Sequence, residues 1–149
     1  MTARSLPPSL IERLDHVGIV APDVAASMAL YCGLLGMQML EEEELRGPGL
    51  YSVMLGLGAT RFELLSPTRA DTPISRFLER RGPGIHHLAF QVASAEDAIR
   101  RLVDAGVELI DTVPQRGAGG TLTAFAHPHS TQGVLLEVIE HTHTGGGKG

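Results

Sequence analysis

The sequence predicts a protein of the α+β class, built from two consecutive units that each contain a strand, a helix and three further strands. Two segments, LDHVGIVAPDVAASMALY (14–31) and IHHLAFQVASAEDAIRRL (85–102), share a strand with His in third position, a polar break and a helical pattern. Strand-like runs follow both segments, and each half ends on an apolar run that carries one Glu, RFELL (61–65) and LLEVI (135–139). Such self-similarity at a fixed spacing indicates an internal repeat.

The first unit is predicted to span about residues 13–67. Asp23 is a suitable N-cap for its helix, whose apolar stripe includes Val24, Met28 and Tyr31 and ends before Gly36. A Gly-Pro-Gly turn interrupts the region that follows. Three strands are predicted there, over 36–45, 50–57 and 60–66.

A connecting helix, about 72–82, is predicted between the units. Thr72 can cap it and Pro73 suits its first position. In the second unit, about 84–140, Ser94 can cap a helix that ends at Gly106. Strands are predicted after this helix over 107–112, 121–127 and 133–139. The whole domain is therefore predicted to cover 13–140, between an N-terminal extension (1–12) and a flexible tail (141–149).

The stretch GPGIHHLAFQV (82–92) places two adjacent histidines in a predicted strand. Successive side chains of a strand point to opposite faces, so His87 is predicted to share a face with small and polar residues that suit a cavity. His86 falls on the apolar face and is predicted to be structural.

The repeat indicates four candidate ligands for a divalent metal ion: His16, Glu63, His87 and Glu137. The two histidines are 71 residues apart and the two glutamates 74. A carboxylate inside an apolar strand is costly to bury without a cation, and two imidazoles with two carboxylates suit Mn, Fe, Co, Ni or Zn. Small residues two positions after each His, Gly18 and Ala89, are expected to leave room above the ion.

Composition excludes several other classes of protein. The net charge of −5 without a basic stripe argues against a nucleic-acid partner. No apolar run is long enough to span a bilayer, no signal peptide is evident, and Cys32 is alone, so a cytoplasmic location is expected. His141 and His143 are expected to be flexible, and His127 and His129 to lie in a solvated turn.

These segments resemble the vicinal oxygen chelate superfamily, which includes glyoxalases, bleomycin resistance proteins and dioxygenases. Within it, LDHVGIVAPDV, FELLSPTRADTPISRFLERRGPGIHHLAF and AHPHSTQGVLLEV resemble the methylmalonyl-CoA epimerases, across residues 13–140. The resemblance implies two βαβββ modules whose strands curl into a cup around one divalent ion. It also implies a homodimer, a CoA thioester substrate and metal ligation by the four residues above, with Co²⁺ favoured over Mn²⁺, Ni²⁺, Zn²⁺ or Fe²⁺.

The implied reaction interconverts the (R) and (S) forms of methylmalonyl-CoA by removal of the α-proton and an enolate intermediate. Two bases on opposite faces would complete it, and Glu137 and Glu63 are the candidates, ahead of the Glu41–Glu44 run, which is expected to be a solvated strand edge. Some bacterial relatives carry a further Glu on the strand after the Gly-rich turn, where this sequence has Ser52. Many relatives also have Lys after the Pro of AHPHS, where this sequence has His129.

Three alternatives use the same scaffold. A glyoxalase I (lactoylglutathione lyase) shares the set of two His and two Glu, although the 67–83 linker favours the epimerase. An iron catechol dioxygenase uses two His and one carboxylate, so a fourth ligand at Glu63 argues against it. A non-enzymatic drug-binding protein would not require all four ligands.

Overall fold

A computed structural model describes residues 8–142, so residues 1–7 of the predicted extension and His143 in the predicted tail lie outside the described range. The chain forms one mixed sheet with three α-helices. The strands are β1 (Arg13–Val20), β2 (Gln38–Leu45), β3 (Leu50–Leu57), β4 (Thr60–Pro67), β5 (Gly84–Gln91), β6 (Gln115–Arg116), β7 (Leu122–Ala126) and β8 (Leu136–Glu140). The helices are α1 (Val24–Met28), which continues as a π-helical segment (Ala29–Leu34), α2 (Pro73–Arg81) and α3 (Ala95–Asp104).

The sheet has eight strands in the order β2-β3-β4-β1-β5-β8-β7-β6. Within each half the first strand pairs in parallel with the last, β1 with β4 and β5 with β8, while β1 and β5 pair antiparallel and join the halves. The sheet curls until its two edges meet: Glu43 of β2 accepts a hydrogen bond from the backbone N–H of Gly119, at 2.9 Å. The predicted α+β class and curled mixed sheet are thereby confirmed.

The helix starts follow the predicted capping residues. The Asp23 side chain accepts from the Ala26 N–H, Thr72 from Ser75 and Ser94 from Asp97. Each bond satisfies a backbone donor that the first turn of a helix leaves free. Pro73 follows Thr72 at the first helical position, where its missing N–H costs nothing.

Helices α1 and α3 cover the outer face of the sheet, whereas α2 packs in a separate cluster with Leu65, which lines the inner cavity. Leu55 and Leu64 are fully buried in a cluster that includes Tyr31 at the α1 side, and Ile99 of α3 packs with Val138 in a second cluster. Because the clusters of α1 and α3 lie outside, most of the inner face of the cup remains available for polar side chains. No helix in the described range 8–142 has the length and apolar character needed to cross a membrane.

The predicted strand over 107–112 is wrong. Only Leu109 forms a bridge, with Ala126, and the strand that pairs with β7 on the side away from β8 is the two-residue β6 further along. The Asp111 side chain accepts from the Phe125 N–H at 2.9 Å and so replaces a backbone carbonyl of the ladder. Pro114, three residues later, has no N–H to donate. Asp111 and Pro114 therefore interrupt an apolar run that otherwise favours a strand.

Candidate functional site

The inner face of the cup encloses a cavity of about 1020 Å³ that is lined by strands of both halves. The four central strands, β4, β1, β5 and β8, each contribute one of the predicted site residues. The strand register links them: Gly18 lies beside both Glu63 and His87, and Ala89 lies beside both His16 and Glu137. The repeat therefore places equivalent residues of the two halves on adjacent strands at the same depth.

All four predicted side chains meet at this point. The Nε2 atoms of His16 and His87 are 3.3 Å apart, and Glu137 Oε2 is 3.3 Å from His87 Nε2. Glu63 Oε1 is 3.9 Å from the Nε2 atom of each histidine. His16, His87 and Glu137 are 2%, 3% and 5% exposed, so the donor atoms converge in a region from which bulk water is excluded.

This donor set fits a divalent cation. Ligand atoms bonded to one ion at zinc-like distances lie roughly 3 to 3.5 Å from each other. The His16, His87 and Glu137 donors all lie within 4.8 Å of one another, with two separations at 3.3 Å. The Glu63 oxygen is slightly further away and requires only a small side-chain rotation to join them. These residues form a candidate His/Glu metal site of the kind that imidazole and carboxylate ligands provide.

The electrostatics of the cluster also favour a cation. Burial raises the pKa of Glu137 well above its usual range, and the neighbouring Glu63 raises it further. Burial also raises the pKa of Glu63, against the opposing effects of His16 and a hydrogen bond from Ser52. Burial lowers the pKa of His87 well below its usual range, with smaller contributions from His16 and His86. The two carboxyl groups beside the His87 imidazole would be stabilised in their ionised form by a bound cation.

Two bulges shape the site, and the sequence did not reveal them. Along the β1–β5 pair, the register shifts between Leu14 and His16 and again between Gly18 and Ile19, which leaves Asp15 and His86 without direct cross-strand partners. Each bulged residue immediately precedes one of the site histidines. Asp15 and His86 both line the cavity.

The assignment of His86 to the outer, structural face is therefore incomplete. The bulge breaks the strict alternation of a strand, so His86 Nδ1 reaches His87 Nδ1 at 2.9 Å while its ring also packs edge-on against Phe77. Burial lowers the pKa of His86 to about 4, so its ring is neutral at pH 7. A neutral His86 can accept the Nδ1–H of His87, which orients His87 Nε2 towards the cluster.

Asp15 performs the equivalent task for His16. Its Oδ2 lies 2.6 Å from His16 Nδ1 and its Oδ1 lies 2.6 Å from His141 Nε2. Burial alone would raise the pKa of Asp15, but the hydrogen bonds from His16 and His141 outweigh it and hold that pKa well below its usual range. The sequence predicts a flexible His141, but the structure holds it against Asp15. A metal-binding imidazole is commonly held in orientation by a carboxylate that accepts a hydrogen bond from its second ring nitrogen, as Asp15 does here for His16.

We expect Asp15→Asn to weaken metal affinity about 10- to 100-fold, because the amide no longer offers a charged acceptor to His16 Nδ1–H. Isothermal titration of the metal-free protein with Co²⁺ measures this change. Asp104→Asn, an exposed residue at the end of α3, is the matched control and should bind Co²⁺ like the wild type. Equal affinity of the Asp15 variant and the wild type would contradict an orienting role.

The space beside Gly18 is occupied by the His87 ring, whereas the sequence predicted open room above the ion. A β-carbon at Gly18 would lie 2.1 Å from His87 Cε1, so the missing side chain makes room for the His87 ring itself. Ala89, the equivalent small residue of the second half, is fully buried. Room above the cluster is provided instead by the large cavity.

The remaining predicted polar residues differ in their distance from the four-residue cluster. His129 Nε2 contacts Glu108 Oε2 at 2.7 Å in an exposed pair, in agreement with a solvated turn. The Glu41–Glu44 run forms half of the exposed edge strand β2, where three of its side chains line the cavity and Glu43 reaches across to Gly119 as described above. Ser52 is buried, and its hydroxyl bonds Glu63.

Comparison with known proteins places this geometry in a family. Residues 15–125 match the Glyoxalase/Bleomycin resistance protein/Dioxygenase superfamily. The mitochondrial methylmalonyl-CoA epimerase of Dictyostelium discoideum is 37% identical over 131 residues, which cover 87% of this chain and 79% of that protein.

Solved structures give the same result. The methylmalonyl-CoA epimerase of Mycobacterium tuberculosis superposes with a TM-score of 0.87 and 34% identity, over 92% of this chain and 93% of that one. A variant of the Streptomyces coelicolor methylmalonyl-CoA epimerase, in complex with 2-nitronate-propionyl-CoA, superposes with a TM-score of 0.85 and 31% identity, over 89% and 96% of the two chains. The similarity therefore covers the complete cup and not only the cluster.

Proposed function

We propose that this chain, which belongs to the glyoxalase/bleomycin resistance protein/dioxygenase superfamily and within it to the methylmalonyl-CoA epimerases, interconverts the (R) and (S) forms of methylmalonyl-CoA. The observation that carries the proposal is the convergence of His16, Glu63, His87 and Glu137 at the floor of a large cavity. Relatives with the same fold are named for this activity, and one of them is solved with a CoA thioester analogue.

The reaction requires a proton to leave the carbon beside a thioester carbonyl and to return on the opposite face. His16, His87, Glu63 and Glu137 would hold a divalent ion, with Co²⁺ as the expected metal and Mn²⁺, Ni²⁺, Zn²⁺ or Fe²⁺ as alternatives. When bound, such an ion supplies Lewis-acid stabilisation of the negative charge that develops on the thioester oxygen. Asp15 and His86 keep the two imidazoles oriented for this task.

Glu63 and Glu137 are the proposed acid/base pair. They lie on β4 and β8, on either side of the central β1–β5 pair, so they approach the space above the imidazoles from two sides. Ligation to the ion would lower the basicity of both carboxylates, so each would act as a base through the oxygen that does not bind the ion. A carboxylate on each side of the α-carbon is what inversion at that carbon needs.

The resemblance also supports the proposal that the chain acts as a homodimer, and the cytoplasmic location expected from the composition stays a prediction. Sedimentation analysis of the purified protein tests the dimer, and a single species at the monomer mass would refute it.

The proposed activity is tested by incubation of the purified protein with one epimer of methylmalonyl-CoA. We expect the other epimer to accumulate to equilibrium, and we expect incorporation of solvent deuterium at the α-carbon in ²H₂O. The hemithioacetal of methylglyoxal and glutathione serves as the comparison substrate. Turnover of only the hemithioacetal would replace the proposal with a glyoxalase I activity.

A further inference from the structure

The chain leaves strand β8 with a histidine that the proposed mechanism does not use. Glu137 and Ile139 of β8 line the cavity, and His141 continues this alternation beyond the end of the strand at Glu140. The same inner face therefore carries a candidate metal ligand, an apolar side chain and an imidazole in succession. The His141 side chain is 35% exposed, so its ring lies where the cavity meets the solvent.

The His141 ring reaches over a neighbouring strand to Asp15 of β1. Strand β5 lies between β1 and β8, so two strand spacings, about 9 to 10 Å, separate the two backbones. His141 Nε2 nevertheless lies 2.6 Å from Oδ1 of Asp15, whose other oxygen, Oδ2, lies 2.6 Å from His16 Nδ1. Because one imidazole contacts each oxygen, Asp15 links His141 to a candidate metal ligand.

The orientation of Asp15 depends on His141. The Asp15 side chain is 1% exposed, and a buried carboxylate oxygen without a donor is costly. Arg13 Nη2 is 3.6 Å from Oδ1, but the Arg13 side chain is 48% exposed and its Nε donates to Gln91. In the described part of the chain, loss of His141 would therefore leave Oδ1 without a donor at hydrogen-bonding distance. Asp15 would then be free to turn away from His16.

The next residue, Thr142, fastens His141 to the glycine-rich turn before β7. Thr142 Oγ1 donates to the carbonyl oxygen of Gly120 at 2.9 Å. The same turn also bonds the opposite edge of the cup, through the N–H of Gly119. His141 and Thr142 thus form a short strap that is held at the turn and at Asp15. A strap fixed at both ends limits the rotation of the His141 ring and so of the carboxylate that it contacts.

We propose that His141 is a positioning residue of the metal centre and that, through Asp15, it keeps the His16 imidazole in the orientation that binds the ion. Loss of a group that directly orients a metal-binding imidazole typically weakens metal affinity 10- to 100-fold. His141 acts one hydrogen bond further out, so we expect an effect at the lower end of this range. The inference rests on the metal centre of the proposed function, and its test measures binding of the metal and not turnover.

Isothermal titration of the metal-free protein with Co²⁺ tests the inference. His141→Ala should weaken Co²⁺ binding about 10-fold and should alter the visible absorption of the bound Co²⁺, which reports the geometry of its ligands. His141→Gln keeps an N–H that can donate to Asp15, so it should recover most of the affinity and the wild-type spectrum. His129→Ala removes an exposed imidazole outside the cluster and should change neither measurement.

Thr142→Val removes the hydrogen bond of the strap and keeps the shape of the side chain, so a smaller loss of Co²⁺ affinity is expected. This variant carries the test if His141→Ala does not fold by circular dichroism, and wild-type affinity in it would then overturn the inference.

Wild-type affinity and spectrum in a folded His141→Ala would overturn the inference alone, as would equal losses in His141→Ala and His141→Gln. A wild type that binds no Co²⁺ would overturn the inference together with the metal centre. A wild type that binds Co²⁺ without epimerising methylmalonyl-CoA would instead refute the proposed function alone.

Discussion

Removal of the metal is expected to abolish epimerisation of methylmalonyl-CoA, and addition of Co²⁺ to the stripped protein is expected to restore it. Four buried donors from four different strands converge on one point, so the ion would tie the two halves of the sheet together. A ligand present at 100 times its dissociation constant stabilises the folded state by about 2.7 kcal/mol. For a domain of this size that corresponds to a fall in melting temperature of roughly 5 to 10 °C after metal removal.

Inductively coupled plasma analysis should find one divalent ion per chain before chelation and none afterwards. His87→Ala should lose both the bound ion and the activity, because it removes a donor at the centre of the cluster. His129→Ala changes an exposed histidine outside the cluster and should retain both. Full activity of the metal-free protein would show that the cluster acts without a cation and would remove the basis of the proposed mechanism.

The second large effect is expected at Glu137 and Glu63. Glutamine keeps the shape and one ligating oxygen of each side chain but cannot accept a proton at neutral pH. Loss of a general base costs typically 10²- to 10⁴-fold in rate. We therefore expect Glu137→Gln and Glu63→Gln to invert methylmalonyl-CoA at least about 10²-fold more slowly.

Hydrogen exchange separates the two roles. An enzyme with one remaining base exchanges the α-proton of one epimer for solvent deuterium. It seldom delivers a deuteron to the opposite face of the α-carbon, because the base on that face is missing. Glu63→Gln and Glu137→Gln should therefore label opposite epimers in ²H₂O, as measured by NMR on each starting epimer. Metal analysis shows whether each variant retains the ion, and Glu79→Gln, an exposed change on α2, should behave as the wild type. Inversion at the wild-type rate by either variant would exclude that carboxylate as a base.

Local sequence signals were enough to predict the elements that they directly control. Asp23, Thr72 and Ser94 cap their helices as predicted, because a side-chain oxygen at that position satisfies a free N–H whatever lies around it. The strand at 107–112 was predicted from apolar character alone. That prediction failed because Asp111 replaces a backbone acceptor of the sheet edge, a contact that requires β7 to be in place.

The four-residue cluster was accessible from sequence because it follows from the repeat. Two halves with the same order of elements place equivalent residues on neighbouring central strands, so the spacing of His16 and His87 and of Glu63 and Glu137 already paired them. The bulged residues beside the two histidines could not be predicted from the repeat. A single-residue bulge moves a side chain to the other face, and no local signal in the sequence marks Asp15 or His86 as bulged.

The sequence by itself determined the α+β class, the duplicated order of elements, the helix caps and the two pairs of His and Glu. Only the tertiary structure decided which neighbours orient those imidazoles and that His141 bonds Asp15 across 126 residues. The physical reason is the range of the interactions. Capping and alternation depend on residues a few positions apart, whereas bulges and long-range hydrogen bonds depend on how distant strands are aligned when the sheet closes.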